Sequence, residues 1–190
     1  MDDTISGKLN LNSLVSGILA LPKGKASMLM ETCIWCLLKC DHPNGVKIQV
    51  VDCGKHVCYS IHWPDEEIDK NAVFRSYNKD DAIEHGAEAI TFLLIREQTP
   101  YTIIRRAVSR TGIDYWLGFK SENSKNLFGK TDARLEVTGI LEEKGNNTVK
   151  SRIKKKLKQT TPTDNTFRVF VSVVEFSQPY AEMVLKNANS

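Results

Sequence analysis

Two acidic residues of this chain sit inside apolar runs: Asp114 in Gly112-Ile113-Asp114-Tyr115-Trp116-Leu117, and Glu136 in Ala133-Arg134-Leu135-Glu136-Val137-Thr138-Gly139. Both runs read as β-strands. A carboxylate in such a run is costly unless something pairs with it. Two carboxylates on successive strands of one sheet can converge on a divalent cation, which takes oxygen ligands. A cation held that way polarises a phosphoryl oxygen and lowers the pKa of a bound water. Asp114 and Glu136 are therefore the first candidates for chemistry. A plainer structural role is open to each. Asp114 follows Thr111-Gly112 and could simply end a turn, and Glu136 could pair with Arg105, Arg134 or Arg152.

Basic residues are unevenly spread. The net charge is only +3, so the whole-molecule field is weak, yet the stretch 150–158 carries Lys150, Arg152, Lys154, Lys155, Lys156 and Lys158 with no acid among them. Such a strip can meet phosphates, although a solvated helix face explains it more plainly. The five cysteines are an odd number, which argues against a disulfide framework. Cys33, Cys36, Cys53 and Cys58 partly match the spacing of a zinc site. However, Cys33, Cys36 and Cys40 fall on one helical face among Met30, Ile34, Leu37 and Leu38, and free cysteine packs as a small hydrophobe. A core role is favoured for them.

The elements that must position these residues follow from periodicity. Residues 1–9 read as loosely attached. Asn12 or Ser13 caps a short helix to Leu21, which Pro22-Lys23-Gly24 breaks, and a strongly apolar helix follows over 26–40. Strands over 46–50 and 57–63 with Gly54 between them predict a hairpin, and 64–79 reads as an acidic linker. A helix opened by Asp80 or Asp81 runs to Gln98, with Ile83, Ala87, Ile90 and Leu94 on one stripe. Strands are expected over 101–108, 114–119 and 134–141, then a basic helix buried through Val149, Ile153 and Leu157, a strand over 167–176 and a short helix over 179–187. The expected organisation is an N-terminal part over 1–79, of helices and a β-hairpin, and a core over 80–190. The 190 residues suffice for one substantial core, or for one core plus a small appendage. No apolar run approaches the ~18 residues of a membrane span, and the acidic N-terminus is unlike a signal peptide's basic start. A cytoplasmic protein with no membrane association is expected.

From residue 80 the order helix, strand, strand, strand, helix, strand resembles the core of the PD-(D/E)XK nuclease superfamily, which includes restriction endonucleases and Holliday-junction resolvases. Gly86-Ala87-Glu88 on the first helix looks like the resolvase-type helix motif, Asp114 stands where the family's Asp stands, and Glu136-Val137-Thr138 occupies the Glu-x-Lys position. The chain also resembles, more loosely, uncharacterised bacterial proteins of defence and toxin loci. The resemblance implies an α+β or α/β fold with a restriction-endonuclease-like αβββαβ core. It further implies a nuclease whose one Mg²⁺ or Mn²⁺ is held by Asp114, Glu136 and the backbone carbonyl of Val137, with Glu88 reaching the metal directly or through water. One departure matters: the motif Lys is Thr138, which supplies no positive charge. Some family members recruit a Lys from elsewhere, and Lys150, Lys154 or Lys120 could take that role here.

The function implied is thus a metal-dependent endonuclease, with Lys150, Lys154, Lys155 and Lys158 meeting nucleic acid, DNA favoured over RNA. A place in bacterial defence fits the looser resemblance. Two alternatives stand beside it. A nucleic-acid-binding module would keep the fold and the basic helix and lose the chemistry. An interaction protein would dock a partner or a second copy through its apolar N-terminal part, with Trp35 and Trp63.

Overall fold

The computed structural model describes residues 5–16, 18, 20–108, 112–120, 131–160 and 167–187. Among the described residues the fold is mixed α/β, with one eight-stranded sheet and four α-helices. In chain order these are β1 (Gly7–Asn10), α1 (Lys23–Lys39), β2 (Lys47–Asp52), β3 (Lys55–His62), α2 (Lys70–Ser76), α3 (Lys79–Gln98), β4 (Tyr101–Arg106), β5 (Tyr115–Phe119), β6 (Ala133–Ile140), α4 (Val149–Thr160), β7 (Arg168–Glu175) and β8 (Tyr180–Lys186). The sheet order is β1-β3-β2-β8-β7-β6-β5-β4. Strands β4, β5 and β6 form an antiparallel meander, β6 and β7 are parallel, and β8 runs antiparallel to β7. The crossover between the parallel pair is α4, as a parallel connection requires.

The two faces of the sheet carry different helices. Leu135 and Val137 of β6 and Phe170 and Val174 of β7 belong to the main core, with α1 and α3. Ile140, Val171 and Val173 pack instead with Val149 and Ile153 of α4. Side chains alternate along a strand, so Arg134, Glu136 and Thr138 share the α4 face. The α3 helix is held between α1 and the sheet, and its residues Gly86–Ile95 are buried on every side. Gly86 permits the close approach to α1, since a Cβ there would lie 3.2 Å from the Cα of Cys33. Asn78 caps α3 by accepting the Asp81 N–H, and Asp80 and Asp81 suit the positive end of the helix dipole.

Several expectations are corrected. The C-terminal stretch 179–187 is a strand, not a helix: β8 inserts between β7 and β2, where pairing on both edges overrides its helix-forming composition. Residues 7–10 are not loose, because they pair in parallel with β3. The helix expected up to Leu21 is only a 3₁₀ turn over Leu11–Val15, and Pro22 starts α1 instead of merely breaking a helix. The stretch 64–79 contains α2, capped by Asp69, which accepts the N–H groups of Asn71 and Ala72. The hairpin β2–β3 turns on Cys53 and Gly54, both at positive φ (48° and 87°). Residues 1–79 and 80–190 contribute strands to the same sheet and side chains to the same core.

Candidate functional site

Asp114 and Glu136 are brought together. The β5–β6 ladder ends at the pair Tyr115–Leu135. Just beyond it the Asp114 N–H donates to the Leu135 carbonyl (2.9 Å), and the Val137 N–H donates to Asp114 Oδ2 (2.8 Å). The Asp114 carboxylate thus takes over the edge that β5 no longer covers. Glu136 projects on the same face, within hydrogen-bonding reach of Asp114. In a strand a residue's N–H and C=O leave on the same edge, so the Val137 carbonyl points toward this opening too.

The electrostatics of the pair follow from that geometry. Glu136 is 5% exposed, and burial first and the Asp114 charge second push its carboxyl up to about 7, against the pull of Lys156. Lys156 Nζ donates to Glu136 Oε1 at 2.5 Å. Arg152 Nη1 donates to Thr138 Oγ1 at 3.3 Å and its Nε to Asn147 Oδ1 at 2.8 Å. The cation bonded to the acids is therefore Lys156, with Arg152 one position further along the face, on Thr138. Lys150, Lys154, Lys155 and Lys158 are exposed on α4, and of these only Lys155 lines the opening. Lys120 is elsewhere: it donates to the Arg96 and Thr99 carbonyls at the C-terminal end of α3. Neither Arg105 nor Arg134 pairs with Glu136. Arg105 lies over the Trp116 ring, and Arg134 donates to the Phe167 carbonyl.

Two connected clefts meet at Asp114. One, of about 490 Å³, is lined by Arg106, Asp114, Glu136, Lys156 and Gln159 among others. The other, of about 540 Å³, adds Asp80 and Glu84 from the start of α3, Val137 and Thr138 from β6, and Arg152 and Lys155 from α4.

Glu88 is not part of this opening. It is 2% exposed on the α3 face of the sheet, where Tyr115 donates its hydroxyl proton to Glu88 Oε1 at 2.7 Å. Lys25 Nζ donates to the same hydroxyl at 2.7 Å and stands 3.8 Å from Glu88 Oε2. Burial raises the Glu88 carboxyl and lowers the Lys25 ammonium. Asp114 immediately precedes Tyr115, the first residue of β5, and the two side chains leave on opposite faces, with Glu88 on the side of Tyr115. The acids that α3 offers to the clefts are Asp80 and Glu84, both exposed, Glu84 one turn before Glu88. Sequence periodicity could have found Lys156 and Arg152: they sit one position before Leu157 and Ile153 of the buried stripe, on its sheet-facing flank.

Among the described residues, no three His, Cys, Asp or Glu side chains are grouped to hold a metal ion. Mg²⁺ needs fewer, because it is commonly bound through one or two carboxylates and keeps several waters. The second oxygens of Asp114 and Glu136, together with the Val137 carbonyl, match that donor set. Cys33 and Cys36 are fully buried in the core, where burial raises both thiols, and Cys36 Sγ donates to the Ala82 carbonyl. Among the described residues no helix is long and apolar enough to cross a membrane. The chain matches no protein-family model and no curated protein.

Proposed function

We propose that this chain is a metal-dependent phosphodiesterase, a nuclease, on a divergent PD-(D/E)XK, restriction-endonuclease-like core. The observation that carries this is the pairing of Asp114 and Glu136 at the opened end of the β5–β6 ladder, beside the basic helix α4. The element order α3-β4-β5-β6-α4-β7, with α3 and α4 on opposite faces, supports the same core. So does the place of each acid, Asp114 one residue before the second strand of that order and Glu136 on the third.

Asp114, Glu136 and the Val137 carbonyl would hold one Mg²⁺ or Mn²⁺, which when bound polarises a phosphoryl oxygen and acidifies a water. Glu136 must lose its proton for this. Lys156 is the cation that replaces the missing motif Lys. Freed from Glu136, its ammonium turns to the phosphate and stabilises the charge that develops there. Arg152 holds Thr138 in place. Lys150, Lys154 and Lys158 attract the phosphate backbone from the outer face of α4.

One observation favours a second reading, a nucleic-acid-binding module without catalysis: Lys156 already neutralises Glu136. Cleavage assays separate the two. Labelled single- and double-stranded DNA and RNA are incubated with wild type, Asp114→Asn and Glu136→Gln, purified identically, with Mg²⁺, Mn²⁺ or EDTA. Cleavage by wild type only, and only with metal, supports the phosphodiesterase. Binding without cleavage in every lane supports the module.

A further inference from the structure

Beside the two acids the same sheet face carries an aromatic group that the chemistry above does not use. Trp116 pairs across the strands with Arg134 of β6 and Arg105 of β4. Residues two apart on a strand share a face and lie ~7 Å apart, so Trp116 follows Asp114 directly on the face that bears Glu136. The Arg105 guanidinium stands over its ring at 5.3 Å, and Phe167 meets the ring edge-on at 5.7 Å. Arg105 is exposed and Trp116 only half-buried, whereas Trp35 and Trp63 are 6% and 5% exposed. A tryptophan left partly open and stacked with an exposed arginine, on the face where Lys156 meets Glu136, is a stacking platform with cations on its face.

Resting on the phosphodiesterase reading, we propose that Trp116 and Arg105 receive one unpaired base of a single-stranded nucleic acid, about one nucleotide from the phosphate at Asp114 and Glu136. The occupant is single-stranded because the bases of a duplex are stacked inside it and cannot reach a ring lying on a sheet. It is a polyanion because the exposed Arg105 guanidinium stands over the ring and Lys156 lies further along the same face, beside Asp114 and Glu136. On entry the base takes the ring face that Arg105 now covers, and the guanidinium moves to the adjoining phosphate. Stacking reads no base identity, so the platform selects strand state and leaves sequence open.

Tryptophan emission tests this directly, since Trp116 is the partly open indole beside two buried ones. Full-length protein in metal-free buffer is titrated with oligo-dT, oligo-rU and a blunt hairpin duplex. The single strands should quench the emission saturably and the duplex should not. The DNA and RNA arms show which sugar the platform prefers. Trp116→Phe should lose the quench, and Trp116→Ala should weaken single-strand binding, read by anisotropy of a labelled oligonucleotide, about ten-fold or more. Equal quenching by the duplex, no quenching at all, or unchanged affinity in a folded Trp116→Ala would overturn the inference. Its failure is separable from that of the activity. Cleavage that needs Asp114 and Glu136 but not Trp116 removes the platform alone. A quench that needs Trp116, without cleavage, removes the phosphodiesterase alone.

Discussion

The Val137 N–H donates to Asp114 Oδ2 at 2.8 Å, just past the last rung that β5 and β6 share. One carboxylate therefore satisfies a sheet edge and faces the cleft. The two roles come apart in variants. Asp114→Asn keeps an oxygen for the Val137 N–H and should melt within a few degrees of wild type. Asp114→Ala leaves that N–H unanswered and should lose about 1–3 kcal/mol in chemical denaturation. Equal stability of the two variants would show that the bond contributes nothing.

Glu136 gives a pH dependence with a definite sign. Its folded value, about 7, lies above the ordinary 4.5, so the folded state favours the protonated form. The stability this contributes is complete below about 4.5 and is lost as pH rises through 7. Melting curves in metal-free buffer from pH 4.5 to 8 should show wild type losing ground to Glu136→Gln across that window. A constant gap between the two would mean that Glu136 titrates in the folded protein as it does in the unfolded chain.

The lysines of α4 divide into two groups. Lys156→Ala should reduce cleavage by about 100-fold, the size expected for one stabilising charge at a reacting phosphate, with little change in the salt dependence of binding. Changing Lys150, Lys154 and Lys158 together should spare the chemistry and flatten that salt dependence. Each lost phosphate contact lowers the log–log slope by ~0.7–0.9. The contrast is read by single-turnover cleavage and by binding isotherms at several salt concentrations. Loss of cleavage in the triple variant at saturating substrate would reverse the assignment.

Gly139 sets how closely α3 can approach β6 beside the cleft. A Cβ there would lie 2.3 Å from the backbone oxygen of Ile83, which a side-chain adjustment cannot relieve. Gly139→Ala should cost about 1–3 kcal/mol, lowering the melting temperature by several degrees. An unshifted melting temperature would show that α3 can move without penalty.

The Asp114–Glu136 pair was legible because alternation fixes faces: each acid interrupts an apolar run at a position that faces α4 once the strands pair. Glu88 misled for a related reason. The stripe Ile83, Ala87, Ile90 and Leu94 suggested one buried side, but α3 lies between α1 and the sheet, so its middle has no solvent side. Its N-terminal turns reach the cleft, and there the acids are Asp80 and Glu84. The C-terminal stretch Ala181–Lys186 has helix-forming residues and is a strand through its neighbours, which no local pattern reveals. The parallel pairing of Gly7–Asn10 with Tyr59–His62 joins segments far apart in the chain, and four residues carry too little periodicity to announce it.

Calorimetric titration with Mn²⁺ tests the central claim most directly. Wild type should bind about one Mn²⁺ per chain, more tightly as pH rises through 7 and Glu136 gives up its proton. Asp114→Asn and Glu136→Gln, each folded by circular dichroism, should lose that binding. Mn²⁺ bound with wild-type affinity by both variants, or no binding by wild type at pH 8, would contradict it.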